Sequence, residues 1–193
     1  MDISQAIAEL NKLNTKEKYE QMIETAAIIT KLLEPEGIEP IVVGGLSVTI
    51  YTQADYMTRD IDFVSDGYEQ VSKLLNALGF SKDNNSRHFY HSDLEVVIEI
   101  PDNYLDGDYD RLVKVELDNG RHVNLISIED IIHDRLKAAV HWHNVEDREW
   151  GFKLLTGSYD TLDLDYLYNK LETLGEKIEL DTWIDEIKSL QQS

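Results

Sequence analysis

The sequence predicts an α+β fold: a mixed β-sheet core flanked by helices, with N-terminal helices before it and a C-terminal helical region after it. Three observations predict this class. Apolar residues at helical spacing fill both ends of the chain, and short β-branched runs separated by turn residues fill its middle. A hairpin signal, Asp118-Asn119-Gly120-Arg121, lies between two alternating segments.

The N-terminal elements are expected to be two helices. Apolar residues at helical spacing indicate the first at Ile3, Ile7, Leu10 and Leu13, and the second at Tyr19, Met22, Ile23, Ala26, Ile29 and Leu33. Asn14, three residues before Glu17, is the expected cap of the second helix. Pro35, Gly37 and Pro40 then end the helical stretch.

The middle of the chain alternates short strands with helices. The expected strands are PIVVGG, RDIDFVS, the pair RHFYH and LEVVIEI, and the two arms of LVKVELDNGRHVNLI. The expected helices are LSVTIYTQA and YEQVSKLLNALGF, of which the second ends at Gly79. Residues 1–126 are therefore predicted to form an α+β core that includes the N-terminal helices.

From Ser127 onward the pattern is helical. Ser127 followed by Asp130 is a variant of the capping box, and further helical patterns lie near Leu162–Leu174 and Thr182–Leu190. Residues 127–193 are therefore expected to form a C-terminal helical region packed on the core.

Composition and charge exclude several classes of protein. The chain has 193 residues, 42% of them hydrophobic, and no cysteine, so a real core is expected and thiolate metal sites are excluded. The N-terminus lacks the features of a signal peptide, and no stretch approaches the roughly 20 apolar residues that cross a bilayer. We therefore expect a cytoplasmic protein. The net charge of −20 disfavours long nucleic acids, whose binding rests on basic side chains.

Two aspartates lie inside the predicted strand RDIDFVS. Alternation puts Asp60 and Asp62 on one face while Ile61 and Phe63 point into the core. Two carboxylates about 7 Å apart along a strand repel each other unless a positive charge lies between them. Oxygen ligands favour Mg²⁺ or Mn²⁺. The alternative is a solvated face of an edge strand.

A glycine pair precedes this strand. Gly44 and Gly45 follow one predicted strand and precede a short helix, an arrangement that lets phosphates approach the backbone at a helix start. Ser47 is placed to add a hydroxyl contact to a phosphate. The alternative is a tight turn without a ligand.

These residues, VVGGLSV followed by TRDIDFV, resemble the signature of the nucleotidyltransferase superfamily with the DNA-polymerase-β-like fold. Within it the sequence is similar to uncharacterised bacterial nucleotidyltransferase-like proteins and to toxin components of abortive-infection toxin–antitoxin pairs. The resemblance implies a nucleotidyltransferase core in residues 1–126, a nucleoside triphosphate substrate, divalent metal ions and a third carboxylate from a later strand. Relatives often have an arginine at the position of Tyr56, and here Arg59 is the nearby candidate for nucleotide binding.

The resemblance also implies two nucleotide-binding residues in the helical region, the basic Arg135 and the acidic Asp147. Helical periodicity supports Arg135 independently, because it falls on the apolar side of its helix, among Ile128, Ile131, Ile132, Leu136 and Ala139. An arginine in that position needs an anionic partner. The alternative to a phosphate is a structural salt bridge.

Two glutamates are candidates for the third carboxylate. In DLEVVIEIP, Glu95 and Glu99 alternate with apolar residues that point inward, so both are expected on one face. Glu99 is preferred because it lies near the strand end, before Pro101, and Glu95 is the alternative. The histidines form no complete zinc set and are expected at the surface.

Two functions from different classes follow. The first is a metal-dependent enzyme that transfers a nucleoside monophosphate to an unknown hydroxyl acceptor, which could be a small molecule, a protein or an RNA end. Asp60, Asp62 and Glu99 would then hold the metal ions, with a partner protein expected if the chain belongs to a toxin–antitoxin pair. The second is a non-catalytic module on the same fold that binds a nucleotide or a protein.

Overall fold

A mixed β-sheet forms the centre of the first of two units, Met1–Ile126 and Ser127–Ser193, in the computed structural model, which describes residues 1–82 and 87–191. The first unit contains α1 (Ile3–Lys12), α2 (Lys18–Leu33), β1 (Ile41–Val43), α3 (Gly44–Tyr51), β2 (Asp60–Val64), α4 (Tyr68–Ala77), β3 (Ser81–Lys82), β4 (His88–His91), β5 (Val96–Glu99), β6 (Val113–Glu116) and β7 (His122–Leu125). The second contains α5 (Ile128–His141), α6 (Val145–Ser158), α7 (Leu164–Lys170) and α8 (Leu174–Gln191). The predicted fold class is confirmed.

The sheet has the strand order β3-β4-β5-β2-β1-β7-β6, so β2 is its middle strand. It pairs antiparallel with β1 and parallel with β5. The predicted hairpin is confirmed, because β6 and β7 pair antiparallel around Asp118–Arg121. Gly120 occupies the left-handed region there, with a φ of 75°, as hairpin turns require.

One face of the sheet carries the core of the first unit. Val42, Ile61 and Phe63 are fully buried within the apolar cluster that also contains the apolar side chains of α2. α2 contacts β2, β7, α1, α3 and α4, which explains why it is buried on most sides. By alternation, the neighbouring residues Asp60, Asp62 and Val64 of β2 lie on the other face.

The predicted cap of α2 is wrong. Asn14 lies in a short 3₁₀ turn, Leu13–Thr15, and α2 begins at Lys18 with Glu17 before it and no side-chain cap. Leu13 is buried, and the backbone N–H of Lys16 donates to the Leu13 carbonyl at 2.9 Å. Asn14 therefore lies inside the turn that links α1 to α2, and not at the start of α2.

The second unit is entirely helical in its described part. Ser127 caps α5 as predicted: its hydroxyl accepts from the Asp130 N–H at 3.1 Å and donates to the Asp130 carboxylate at 2.8 Å. The expectation that the histidines lie at the surface is wrong for His91 and His133, which are 8% and 2% exposed. His133 lies 3.8 Å from the buried Glu176 carboxylate. No α-helix in the described residues is long and apolar enough to cross a membrane.

Candidate active site

The two aspartates of β2 lie beside the strands that the sequence analysis expects. Asp62 is in register with Val43 on β1 and with Glu99 on β5, and Asp60 is in register with Val97. Paired strands are about 4.8 Å apart, so the Asp62 and Glu99 side chains are neighbours on one face of the sheet. The prediction that β2 is central and adjacent to the strand ending at Val43 is confirmed.

The glycine turn packs directly on Asp62 and on Thr58, the residue two positions before Asp60. Gly44 has a φ of 58°, and a Cβ atom there would lie 2.1 Å from the Asp62 Oδ2 atom. A Cβ atom at Gly45 would lie 2.7 Å from the Thr58 hydroxyl. Contacts below 3.0 Å leave no room for a side chain at either position unless Asp62 or Thr58 moves, so the two glycines allow this close approach.

Ser47 has a local role in the same turn. Its side chain is fully buried, and its hydroxyl donates to the Gly44 carbonyl at 2.7 Å. This bond fixes the first turn of α3. The Ser47 hydroxyl thus donates its hydrogen within the turn. A contact from Ser47 to a phosphate stays a prediction.

Asp60 is oriented by a threonine. The Thr58 hydroxyl donates a short hydrogen bond to Asp60 Oδ1. One carboxylate oxygen of Asp60 is therefore already hydrogen-bonded to a residue just before β2. The Thr58 hydroxyl is a neutral donor, so it brings no positive charge that would compete with a cation at Asp60.

The register distinguishes the two candidate third carboxylates. Glu99 lies beside Asp62, and its side chain is 23% exposed. Glu95 is not part of the strand, because β5 begins at Val96 and Glu95 is in a turn with a φ of 51°. It has no register partner on β2, and it lines the cavity at the Asp60 end of this face. His88 on β4 is also in register with Glu99, with His88 Nδ1 3.4 Å from Glu99 Oε2.

A cavity of about 790 Å³ opens at the Asp60 end of this face. Its lining residues are Lys18, Met57, Thr58, Arg59, Tyr90, Glu95 and Val97. Lys18 donates to the Leu94 and Glu95 carbonyls at 3.1 and 2.8 Å. Burial lowers the pKa of Lys18, while Glu95 opposes the shift. Arg59 is exposed on the cavity wall.

Arg135 and Asp147 are brought together in the second unit. Arg135 Nη1 lies 2.5 Å from Asp147 Oδ1, and each side chain is 15% exposed. Arg135 Nε also lies 3.5 Å from Asp134. The structure therefore contains the ion pair that the sequence analysis weighed as the alternative, and the nucleotide role of both residues stays a prediction.

The carboxylates suit a hard cation by donor type. In residues 1–82 and 87–191, no three histidine, aspartate or glutamate side chains are already gathered as metal ligands. Asp60, Asp62 and Glu99 nevertheless share one face and offer only oxygen donors, which Mg²⁺ and Mn²⁺ prefer. The residues present therefore fit such an ion, with side-chain rotation needed to gather them.

The fold and this face of the sheet together define a nucleotidyltransferase-like protein. Residues 17–188 match the family described as "Nucleotidyltransferase of unknown function (DUF6036)", so the chain belongs to that family. The resemblance to nucleotidyltransferases that the sequence showed is confirmed. None of the curated proteins matches the chain.

Solved structures share the fold of this chain. An antigenic nucleotidyltransferase-like protein from Paracoccidioides brasiliensis has a TM-score of 0.63 at 14% identity, over 92% of each chain. The antibiotic-resistance factor ANT(2'')-Ia in solution has a TM-score of 0.50 at 12% identity, over 85% of this chain and 91% of that chain. Its crystal structure in complex with adenylyl-2''-tobramycin gives 0.52 at 12% identity, over 80% and 94%. At these identities the likeness shows the fold.

Three residues around the site were not singled out as site residues from the sequence. The contact of Thr58 with Asp60 could have been predicted from the sequence, because side chains two residues apart in an extended segment point to the same side. His88 reaches Glu99 through the register of two strands, and Lys18 comes from a helix 42 positions before Asp60. Neither of these contacts has a signal in local spacing.

Proposed function

We propose that this chain transfers a nucleoside monophosphate from a nucleoside triphosphate to a hydroxyl acceptor, with Mg²⁺ or Mn²⁺ as cofactor, and releases pyrophosphate. The observation that carries the proposal is the register of β2 with β5, which sets Glu99 beside Asp62 on the face that also holds Asp60. That face lies against the glycine turn at the start of α3.

The glycine turn and Arg59 are the proposed phosphate-binding elements. Backbone N–H groups at a helix start favour negative charge, and two residues without side chains let a triphosphate approach them. Arg59 on the wall of the neighbouring cavity supplies a guanidinium that matches phosphate oxygens. Ser47 keeps the turn in shape through its bond to Gly44.

Asp60, Asp62 and Glu99 would hold the metal ion, which when bound stabilises the attacking and leaving oxygens of a phosphoryl transfer. Thr58 orients Asp60, and Gly44 leaves room for the Asp62 carboxylate. As the acceptor oxygen bonds to the α-phosphorus, its proton passes to Glu99. The bond between the α-phosphorus and the oxygen that bridges to the β-phosphorus breaks, and pyrophosphate leaves with that oxygen. His88, 3.4 Å from Glu99, restrains that carboxylate.

Binding of a magnesium triphosphate tests the proposal. Calorimetry with each of the four common triphosphates should show binding of at least one to the wild type, and Asp60→Asn with Asp62→Asn should abolish it. The paired variant should unfold at an equal or higher temperature, because repulsion between the carboxylates is relieved. Asp93→Asn with Asp118→Asn removes the same charge from exposed positions and should bind like the wild type.

Two outcomes would contradict this function. Undiminished binding in the Asp60→Asn, Asp62→Asn variant would place the metal site elsewhere. Binding without pyrophosphate release, in the presence of every acceptor tried, would favour the non-catalytic nucleotide-binding module. A role in a toxin–antitoxin pair stays a prediction of the resemblance, and co-purification of a partner protein would test it.

A further inference from the structure

A second cavity, of about 440 Å³, lies on the same face of the sheet. Ile41 and Val64 line it and are register partners on β1 and β2. Alternation puts Val64 on the side of Asp62, and two residues along a strand span about 7 Å. The cavity therefore lies two residues along β2 from Asp62, at the C-terminal end of the strand. The Arg59 cavity lies at the N-terminal end of the same strand.

The charge of this cavity is opposite to that of a phosphate site. Its charged lining residues, in the described part of the chain, are Glu39 and Asp66, both exposed carboxylates. The nearby Arg111 has Asp108 as an ion-pair neighbour at 3.9 Å. Anionic phosphates are therefore repelled here, and cations are attracted.

Two tyrosines and an amide complete the walls. Tyr104 and Tyr109 are 74% and 52% exposed, and both line the cavity together with Asn103. Aromatic faces attract organic cations, and phenol and amide groups hydrogen-bond to hydroxyl groups. Large exposed aromatic side chains beside a pocket are typical of ligand contacts.

The wall that carries these groups is held in place by its own hydrogen bonds. The Leu105 N–H donates to the Tyr109 hydroxyl at 3.0 Å. Asp102 Oδ1 accepts from the N–H groups of Asn103 and Tyr104 at 2.6 and 3.2 Å. The Ser65 N–H at the end of β2 donates to the Asp102 carbonyl at 3.3 Å. The cavity is therefore preformed, as small-molecule sites usually are.

We propose that this cavity binds the acceptor, and that the acceptor is a small organic cation that carries hydroxyl groups, such as an amino sugar. The proposal rests on the proposed nucleotidyl transfer. Ammonium groups pair with Glu39 and Asp66, and a ring face lies on Tyr104 or Tyr109. The cavity volume of about 440 Å³ lies within the roughly 300–1,000 Å³ of small-molecule sites.

The position explains how the acceptor reaches the triphosphate. A hydroxyl of the bound cation extends along β2 toward Asp62 and Glu99. Its oxygen bonds to the α-phosphorus, its proton passes to Glu99, and pyrophosphate leaves. The two cavities thus separate an anionic from a cationic substrate at opposite ends of one row of carboxylates.

Tobramycin, an amino sugar compound, is the probe, and the neutral disaccharide trehalose is its uncharged comparison. By calorimetry at physiological salt and without nucleotide, tobramycin should bind the full-length chain and trehalose should not. The variant Glu39→Gln with Asp66→Asn loses two charge-assisted contacts. It should therefore bind tobramycin about tenfold or more weakly than the wild type. Asp118→Asn with Glu186→Gln changes the net charge equally at exposed positions outside the cavity and should leave binding unchanged.

Tyr104→Ala keeps all charges and gives an independent test of the wall. It should also weaken tobramycin binding, with the melting temperature unchanged because Tyr104 is mostly exposed. Equal loss of binding in the Asp118→Asn, Glu186→Gln variant would overturn the proposal, since it would show attraction to net charge alone. Adenosine binding that depends on Tyr104, without tobramycin binding, would overturn it by assigning the cavity to the nucleobase.

Triphosphate binding measured in the same samples separates the two proposals. If the triphosphate binds through Asp60 and Asp62 and tobramycin does not bind, the acceptor proposal fails and the proposed function stands. If tobramycin binds and no triphosphate does, the proposed function fails, and the acceptor role assigned to the cavity fails with it.

Discussion

Replacing Gly44 by alanine should separate the geometry of the site from the stability of the fold. Gly44 has a φ of 58°, which costs a non-glycine residue about 1–2 kcal/mol. Its new Cβ atom would lie 2.1 Å from Asp62 Oδ2, 3.0 Å from Cγ and 3.2 Å from Cβ. The carboxylate must therefore rotate away, because a short aspartate side chain has no other way to relieve the contact.

Gly120→Ala is the matched control, because it places alanine in the same left-handed backbone region without a neighbouring side chain. Gly120 has a φ of 75°, and a Cβ atom there would meet nothing within 4 Å. Both variants should lose about 1–2 kcal/mol of unfolding free energy from the left-handed backbone alone. With a urea m value of about 2 kcal/mol/M, each midpoint should fall by about 0.5–1 M.

Function should separate the two variants. Because Gly44→Ala displaces the Asp62 carboxylate, its affinity for a magnesium triphosphate should fall about tenfold or more, as for loss of a charged ligand group. Gly120→Ala should keep the wild-type affinity. Urea unfolding and calorimetry on the same preparations provide both readings. Wild-type affinity in Gly44→Ala would refute the argument that the turn and Asp62 form one site.

Two further predictions concern the second unit. Arg135→Met leaves Asp147, which is 15% exposed, without its nearest guanidinium, so unfolding free energy should fall by on the order of 2–3 kcal/mol, and Asp147→Asn in the same chain should restore part of it. If Arg135 instead serves the nucleotide, triphosphate affinity falls while the urea midpoint stays constant. Burial raises the pKa of Glu176, but hydrogen bonds from His141 and the Glu172 N–H outweigh it, so the pKa lies below 4.5. A lowered pKa stabilises the fold above pH 4.5, and this contribution is lost as the pH falls through the lower folded value. Urea midpoints from about pH 3 to 7 should therefore show a shallower acid decline in Glu176→Gln than in the wild type, and parallel declines would contradict this.

The central strand was predictable because its signal is local. Ile61 and Phe63 alternate with Asp60 and Asp62, and burial of the apolar pair decides which face the carboxylates occupy. The turn at Gly44 and Gly45 was predictable for a similar reason, because two glycines directly follow a run of β-branched residues. Local patterns of this kind account for most strands and helices and for the Asp-Ile-Asp arrangement, but not for the short strand β3 or for the start of α2.

Contacts between distant segments had no such signal. Whether Glu95 or Glu99 lies beside Asp62 depends on the register of two parallel strands whose residues are 37 positions apart. His133 is buried beside Glu176, which lies 43 positions later in the chain. The cavity at Ile41 and Val64 also depends on a loop that follows β5. Spacing within one element cannot determine these pairings, because they arise from the packing of several elements.

Pyrophosphate release in the presence of magnesium, a triphosphate and tobramycin tests the central claim most directly. The wild type should release pyrophosphate and label the acceptor, since all three carboxylates are present on one face. Glu99→Gln keeps the shape but cannot take the acceptor proton, so the rate at saturating magnesium triphosphate should fall about 10²-fold or more, beyond any loss of triphosphate affinity measured on the same variant. Release at the wild-type rate in Glu99→Gln would contradict the assignment of Glu99 as the base. Release at the wild-type rate in Asp62→Asn would contradict the site itself.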